Sequence, residues 1–253
     1  MHARSRTAGF TLMELVIAMG LLSVVLLAIG TLQGSMFTSF VSLNGSAARG
    51  RELQDASGYL ADRLHSASAV STALTVNGVA CQITPPVSVN PCFALLIPET
   101  RQVGAVAQYS ANVWMYVVYM YVPRASLPPA DRPVDAWADA NAGGLLEYRT
   151  VICQPNAVVS NVSGTCSTDG TSTGGMVPVP KTIPVAITGM TPYVVMDSAT
   201  TDQLPAAGAF QPFAYDPLTS KFTLNLRAKT YTGGKVMYTP ASGPLVVTAV
   251  RRN

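Results

Sequence analysis

Apolar and polar positions fall into two regimes along the chain, and the boundary lies near Arg49. From Phe10 to Ala48 the only charged residue is Glu14, and the first twenty positions are mostly Leu, Val, Ile, Ala, Met and Gly. Twenty such residues in helix span about 30 Å, the thickness of a bilayer core, which predicts a membrane-embedded helix over 10–31. Beyond Arg49 the pattern becomes one-sided. Leu53, Ser57, Leu60 and Leu64 recur on one helical face while Arg51, Glu52, Asp55, Asp62 and Arg63 take the others. That period predicts an amphipathic continuation to about Ala69, lying against a globular domain. Gly30, Gly34, Gly45, Gly50 and Gly58 interrupt the run. Each costs up to about 1 kcal/mol against Ala, so 30–50 is the softest stretch, although small residues equally serve close helix packing in a membrane.

After Val70 the period shortens to that of strands. Val70 to Val79 reads as extended, Cys81 to Pro91 as a Pro-rich loop, and Phe93 to Pro98 as a short apolar piece. Val113 to Val122 (Val-Trp-Met-Tyr-Val-Val-Tyr-Met-Tyr-Val) is the strongest strand, apolar on both faces and therefore central. Its ten residues, closed by Pro123, are too few for a second helical span. Pro123 to Gly144 is predicted to be a surface connection and Leu145 to Cys153 the next, antiparallel strand. Asn156 to Gly175, rich in Ser, Thr and Gly, reads as a loop. Thr182 to Thr188 and Pro192 to Met196 are expected as edge or subdomain strands, with Ser198 to Pro212 a loop. Lys221 to Tyr231 alternates as one half-buried strand, Gly233-Gly234 turns, and Pro244 to Val250 closes the sheet. The expected class is α+β: a long N-terminal helix over 10–69 packed on an antiparallel β-sheet domain over 70–253.

Composition narrows the setting. Only 11% of residues are charged, and the formal net charge is +3, against about 25% charged residues in ordinary soluble domains. The segment 1–9 carries Arg4, Arg6 and His2 and no acid. By the positive-inside rule it stays cytoplasmic and the chain after the helix is exported. Without Arg4 and Arg6 the balance is fourteen basic to thirteen acidic residues, or +1, which gives no electrostatic case for a nucleic-acid partner. Four cysteines, Cys81, Cys92, Cys153 and Cys166, all follow the helix, and an even number in an oxidising compartment suggests disulfides. Three pairings are possible. The local one, Cys81 with Cys92 and Cys153 with Cys166, is favoured because each bond closes a short Pro-, Gly- or Ser-rich loop, worth about 3 kcal/mol in the chain-entropy picture. A zinc site is the alternative, but neither pair has Cys-x-x-Cys spacing and no His is near.

The compound signal lies at the start of the helix. A short basic leader ends in Gly9, Phe10-Thr11-Leu12 follow, and Glu14 occupies the fifth place of the apolar run. A carboxylate there costs a few kcal/mol unless it finds a partner, so it is a functional candidate. A signal-anchor helix with a tolerated Glu is the plainer alternative. Gly9, Phe10, Thr11, Leu12, Glu14 and Leu15 resemble the type IV prepilin class, which includes type II secretion and competence pseudopilins. The resemblance implies a pilin-like fold, cleavage between Gly9 and Phe10 by a prepilin peptidase, and N-methylation of Phe10. It also implies insertion in the inner membrane, an assembly platform there, and packing with other major and minor pilins into a filament that reaches the cell surface. Glu14 would then meet the Phe10 amine of a neighbouring subunit. Arg49 to Ser57, Leu60 to Leu64, Leu146 to Arg149 and the terminal Arg251-Arg252-Asn253, with the large size, look like the W-type minor pilins and, more loosely, the J-type pseudopilins.

Enzymatic chemistry finds little material, and no catalytic residue, metal or cofactor is assigned. One histidine, His65, follows the leader, and it sits on the amphipathic helix among Ala, Ser and Leu. There is no Gly-x-Ser-x-Gly elbow, Walker loop or dinucleotide fingerprint. Asp197, Asp202 and Asp216 are possible loop ligands for calcium, without EF-hand spacing. Asn161-Val162-Ser163 fits a glycosylation sequon that chance also explains. Trp114, Tyr116, Tyr119 and Tyr121 suit core packing more simply than ligand binding. Lys221, Arg227, Lys229, Lys235, Arg251 and Arg252 cluster late in the chain, where a shared face would suit DNA uptake and a solvated sheet face explains them as well. Two classes follow: a filament subunit that primes or caps, or an exposed adhesin or DNA receptor carried on a filament. Deletion separates them, since the first removes filaments and the second leaves filaments that no longer bind.

Overall fold

The computed structural model describes residues 12–83, 90–103, 106–153, 182–202 and 209–251, with side chains omitted at 38, 42, 99–103, 106–113 and 151–153. Two units partition the chain, 1–47 and 48–253. One helix, α1 (Leu12–His65), runs through every interior glycine, and open space surrounds Gly30, Gly34, Gly45, Gly50 and Gly58. It stops short of Ala69 because Ser68 is captured by the sheet: its backbone N–H and its hydroxyl both donate to the Leu96 carbonyl.

Within 48–253 the order after α1 is β1 (Ala69–Ser71), β2 (Ala73–Val76), β3 (Val79–Gln82), β4 (Asn90–Val103), β5 (Val106–Pro123), α2 (Ala136–Asn141), β6 (Gly143–Cys153), β7 (Ala186–Ile187), β8 (Thr191–Ala199), β9 (Phe213–Asp216), β10 (Lys221–Leu226), β11 (Ala228–Thr232), β12 (Lys235–Thr239) and β13 (Leu245–Val250). Among the described residues ten strands form one sheet in the order β12-β11-β8-β6-β5-β4-β3-β2-β7, with β1 beside β4; β13, β10 and β9 form a second. The large sheet is mixed rather than purely antiparallel, since β3–β4 and β2–β7 run parallel. The fold is α+β, with Leu53 to Leu64 of α1 packed into the core on one face of the large sheet.

β5 is the centre, as its two apolar faces require. Met115, Val117 and Tyr119 point to the core that Leu53, Ala56, Leu60 and Leu64 of α1 enter. Tyr116, Val118 and Met120 serve the opposite core with Leu96, Val76 and Ile187. β6 pairs antiparallel with β5 from Pro123↔Gly143 to Val113↔Cys153. Phe93 to Pro98 proves to be the middle of a fourteen-residue strand, carried past Pro98 by a register shift before Thr100.

Three further expectations change or gain detail. Lys221 to Tyr231 is two strands in two sheets, broken at Arg227, which is 1% exposed and donates to the carbonyls of Asp202, Pro240 and Ala241. Pro123 to Gly144 is the expected surface connection, but it also holds α2 and is anchored by Arg124, also 1% exposed. Pro192 to Met196 lies inside β8, which pairs with β6 along its length and with β11 at Ala199. Gly233 and Gly234 do turn the β11–β12 hairpin, at φ 60° and 79°.

Candidate functional site

Gly9, Phe10 and Thr11 lie outside the described residues. Glu14 is in the first turn of α1 and exposed, where a carboxylate is favoured by the helix dipole. Around it the described apolar side chains from Leu12 to Leu43 are exposed on every side, among them Leu12, Leu15, Leu22, Leu27 and Phe37. Three hydroxyls in the run bond back to helix carbonyls: Ser23 to Met19, Thr31 to Ala28 and Ser35 to Leu32. Such bonds suit an apolar medium, where every polar group must be satisfied locally. The described part of α1 holds one window long and apolar enough to cross a membrane, with mean hydropathy 2.6. An apolar surface this long is unstable in water and calls for hydrocarbon or for other helices.

In 48–253 the remaining candidates are distributed. Cys81 and Cys92 are bonded to each other across an eleven-residue separation. Cys166 and the Cys153 side chain are outside the described residues, as are Asn161 to Ser163 and Arg252. His65, in the last turn of α1, donates from Nδ1 to the Val250 carbonyl at 2.7 Å, a tie to β13. The three aspartates stand apart. Asp197 binds Arg124, Asp202 binds Lys229 at 2.9 Å, and Asp216 accepts from the Leu218 N–H and the Thr219 hydroxyl. Among the described residues no group of three metal-type ligands occurs. The late basic residues are dispersed as well: Arg227 is buried, Lys229 is paired, and Lys221 and Lys235 lie in different sheets. Tyr119 and Tyr116 are core residues.

Two buried polar networks escaped the sequence reading. Glu147 has no exposed surface; its Oε1 accepts from the Tyr59 hydroxyl at 3.1 Å and from Arg149 Nε. Arg149 and Arg63 both donate to the Tyr59 hydroxyl, so α1 is stapled to β6. Tyr119 sits beside this carboxylate, and burial first, then the charge of Glu147, push its phenol far up. The second network centres on Arg124. Its Nε and Nη2 grip both Asp197 oxygens at 2.6 and 3.0 Å, Nη1 meets Asp139, and the carbonyls of Pro133 and Asp135 accept from it. The Asp197 bond, outweighing burial, holds this guanidinium above its usual range. Leu-Leu-Glu-Tyr-Arg gave a signal for Glu147, since strand alternation puts Leu145, Glu147 and Arg149 on one face. Only the helix contact reveals that this face is inside.

A family model described as the prokaryotic N-terminal methylation motif matches residues 4–30. No curated protein and no solved structure matches the chain. The match covers about a tenth of the sequence and corresponds to a type IV prepilin-like signal at the head of α1.

Proposed function

We propose that the protein is a minor pilin or pseudopilin, a structural subunit of a type IV pilus or pilus-like filament. The methylation motif followed by a helix whose only charge up to Ala48 is Glu14 carries this reading. Prepilin peptidase cuts between Gly9 and Phe10, Phe10 is N-methylated, and the subunit waits in the inner membrane with residues 1–9 cytoplasmic before the cut and the β domain exported. On assembly, hydrocarbon around α1 is exchanged for the helices of other pilins. An ammonium at Phe10 and a carboxylate at Glu14 are each costly in that apolar setting, so a Phe10 amine of one subunit pairs with Glu14 of the next. The cysteine bridge and the buried networks suit a domain that keeps its shape outside the cell.

Intact-mass analysis of protein extracted from membranes tests the processing. The expected mass begins at methylated Phe10, and Gly9→Val retains residues 1–9. A chain retaining Met1, or cut after the apolar run, would overturn the reading.

A further inference from the structure

A cleft of about 540 Å³ with a mixed polar and apolar lining opens at the end of the large sheet where β5 stops, α2 ends and β11 passes. That volume lies within the range of small-molecule sites. Its one close ion pair, Asp202 with Lys229, cancels its own charge. The remaining groups suit hydroxyl recognition. Asp202 binds Lys229 and Tyr238 through Oδ2, and its side chain is 39% exposed, so the carboxylate can accept from a ligand as well. The Tyr121 hydroxyl makes no hydrogen bond among the described residues, and it lies against Gly143, where a Cβ would sit 2.5 Å from it. Burial, and after it the Asp202 charge, push this phenol up, so it stays a donor. Asn141 donates its amide to the Trp137 carbonyl, which leaves its side-chain oxygen as an acceptor. Asn90, Thr200, Thr201, Gln211 and Lys229 add further polar groups to the lining.

Beside the cleft stands a rigid aromatic shelf. Tyr231 follows Lys229 by two residues on the same face of β11, so it lies about 7 Å farther along. It is 49% exposed and is backed by Trp137 of α2, the rings 5.2 Å apart and 23° from parallel. An exposed aromatic held by a second ring contributes flat apolar area at little entropic cost. Paired carboxylate, amide and phenol groups next to an apolar plate match one ligand class: the alternating hydroxyl edge and C–H face of a pyranose. A phosphate would meet the carboxylate of Asp202, and a purely apolar ligand would strand the phenol and amide.

We propose that this cleft and the Trp137–Tyr231 shelf bind a neutral oligosaccharide. The site does not rest on the filament role: it belongs to residues 48–253, and it is tested on unassembled protein. Full-length protein in a detergent without sugar headgroups is applied to an array of immobilised neutral oligosaccharides. The strongest hit is then titrated in soluble form. Saturable binding is expected, weakened tenfold or more by Tyr231→Ala and by Asp202→Asn. Tyr193→Ala, an exposed aromatic on another part of the sheet, should leave it unchanged. Circular dichroism and thermal melting show whether each variant is folded, and Tyr231→Ala carries the test if Asp202→Asn is not. Absence of neutral-glycan binding, binding indifferent to Tyr231→Ala, or binding confined to acidic glycans or single-stranded DNA would each overturn the proposal. None of these results bears on assembly, and failure to assemble would leave the site standing.

Discussion

Arg124→Met removes the centre of the buried network that joins the end of β5, helix α2 and β8. Arg124 is 1% exposed and Asp197 only 9%, so the variant leaves a carboxylate desolvated with little more than the Ser198 N–H to answer it. Losing one partner of a buried ion pair costs about 3–5 kcal/mol, a large share of the roughly 5–15 kcal/mol that holds a domain together. Asp139 is more open, its side chain 30% exposed. Asp139→Asn should therefore cost only about 1 kcal/mol. Urea unfolding of the full chain in detergent, followed by the fluorescence of Trp114 and Trp137, reads both. With a slope of about 2 kcal/mol per molar urea, Arg124→Met should lower the midpoint by about 2 M and Asp139→Asn by about 0.5 M. The double variant Arg124→Met/Asp197→Leu should recover part of the loss, because no orphan charge remains. Equal midpoints for Arg124→Met and wild type, or a double variant as unstable as the sum of the two single ones, would refute the assignment of this network as a coupled unit.

Two other outcomes are expected. The phenols of Tyr119 and Tyr121 are both pushed up, by burial first and then by Glu147 and Asp202 respectively. The folded state thus keeps protons that the unfolded state releases, so stability is whole below about pH 10 and falls above it, by about 1.4 kcal/mol per pH unit for each phenol; urea midpoints against pH should show a shallower alkaline decline in Tyr119→Phe. Peptide mapping without reduction should yield a Cys81–Cys92 peptide and a Cys153–Cys166 peptide, and free thiols at Cys153 and Cys166 would contradict the second bridge.

What could be read in the sequence was set by local pattern. The apolar run of α1, the two-faced strand at Val113 to Val122 and the Gly233-Gly234 turn each declare themselves within a dozen residues. The pairing of β6 with β5 followed from their adjacency in the chain. What stayed hidden depended on distant partners. Pro98 looked like a strand end, yet a register shift lets β4 continue past it. Arg227 looked like one more polar position in an alternating strand, and only the carbonyls from 202, 240 and 241 converging on it explain why the chain changes sheets there. Glu147 and Arg124 drew no notice for the same reason. The methylation motif was legible at the head of α1 because it is local and chemical. The cleft between β5, α2 and β11 draws on six separate stretches of chain, none of which carries a motif.

Incorporation of Glu14→Ala into sheared filaments tests the central claim most directly. Near the membrane surface the Glu14 carboxylate of an unassembled subunit can reach water, so the variant should insert normally and be cut normally after Gly9. In an assembled filament its loss leaves a neighbouring Phe10 ammonium unpaired among apolar helices, a cost of about 3–5 kcal/mol, or about a hundredfold or more in incorporation. Quantitative mass spectrometry of membranes and sheared filaments should therefore find wild-type protein in both and Glu14→Ala in membranes alone. Recovery of the variant in filaments at wild-type stoichiometry would contradict the account.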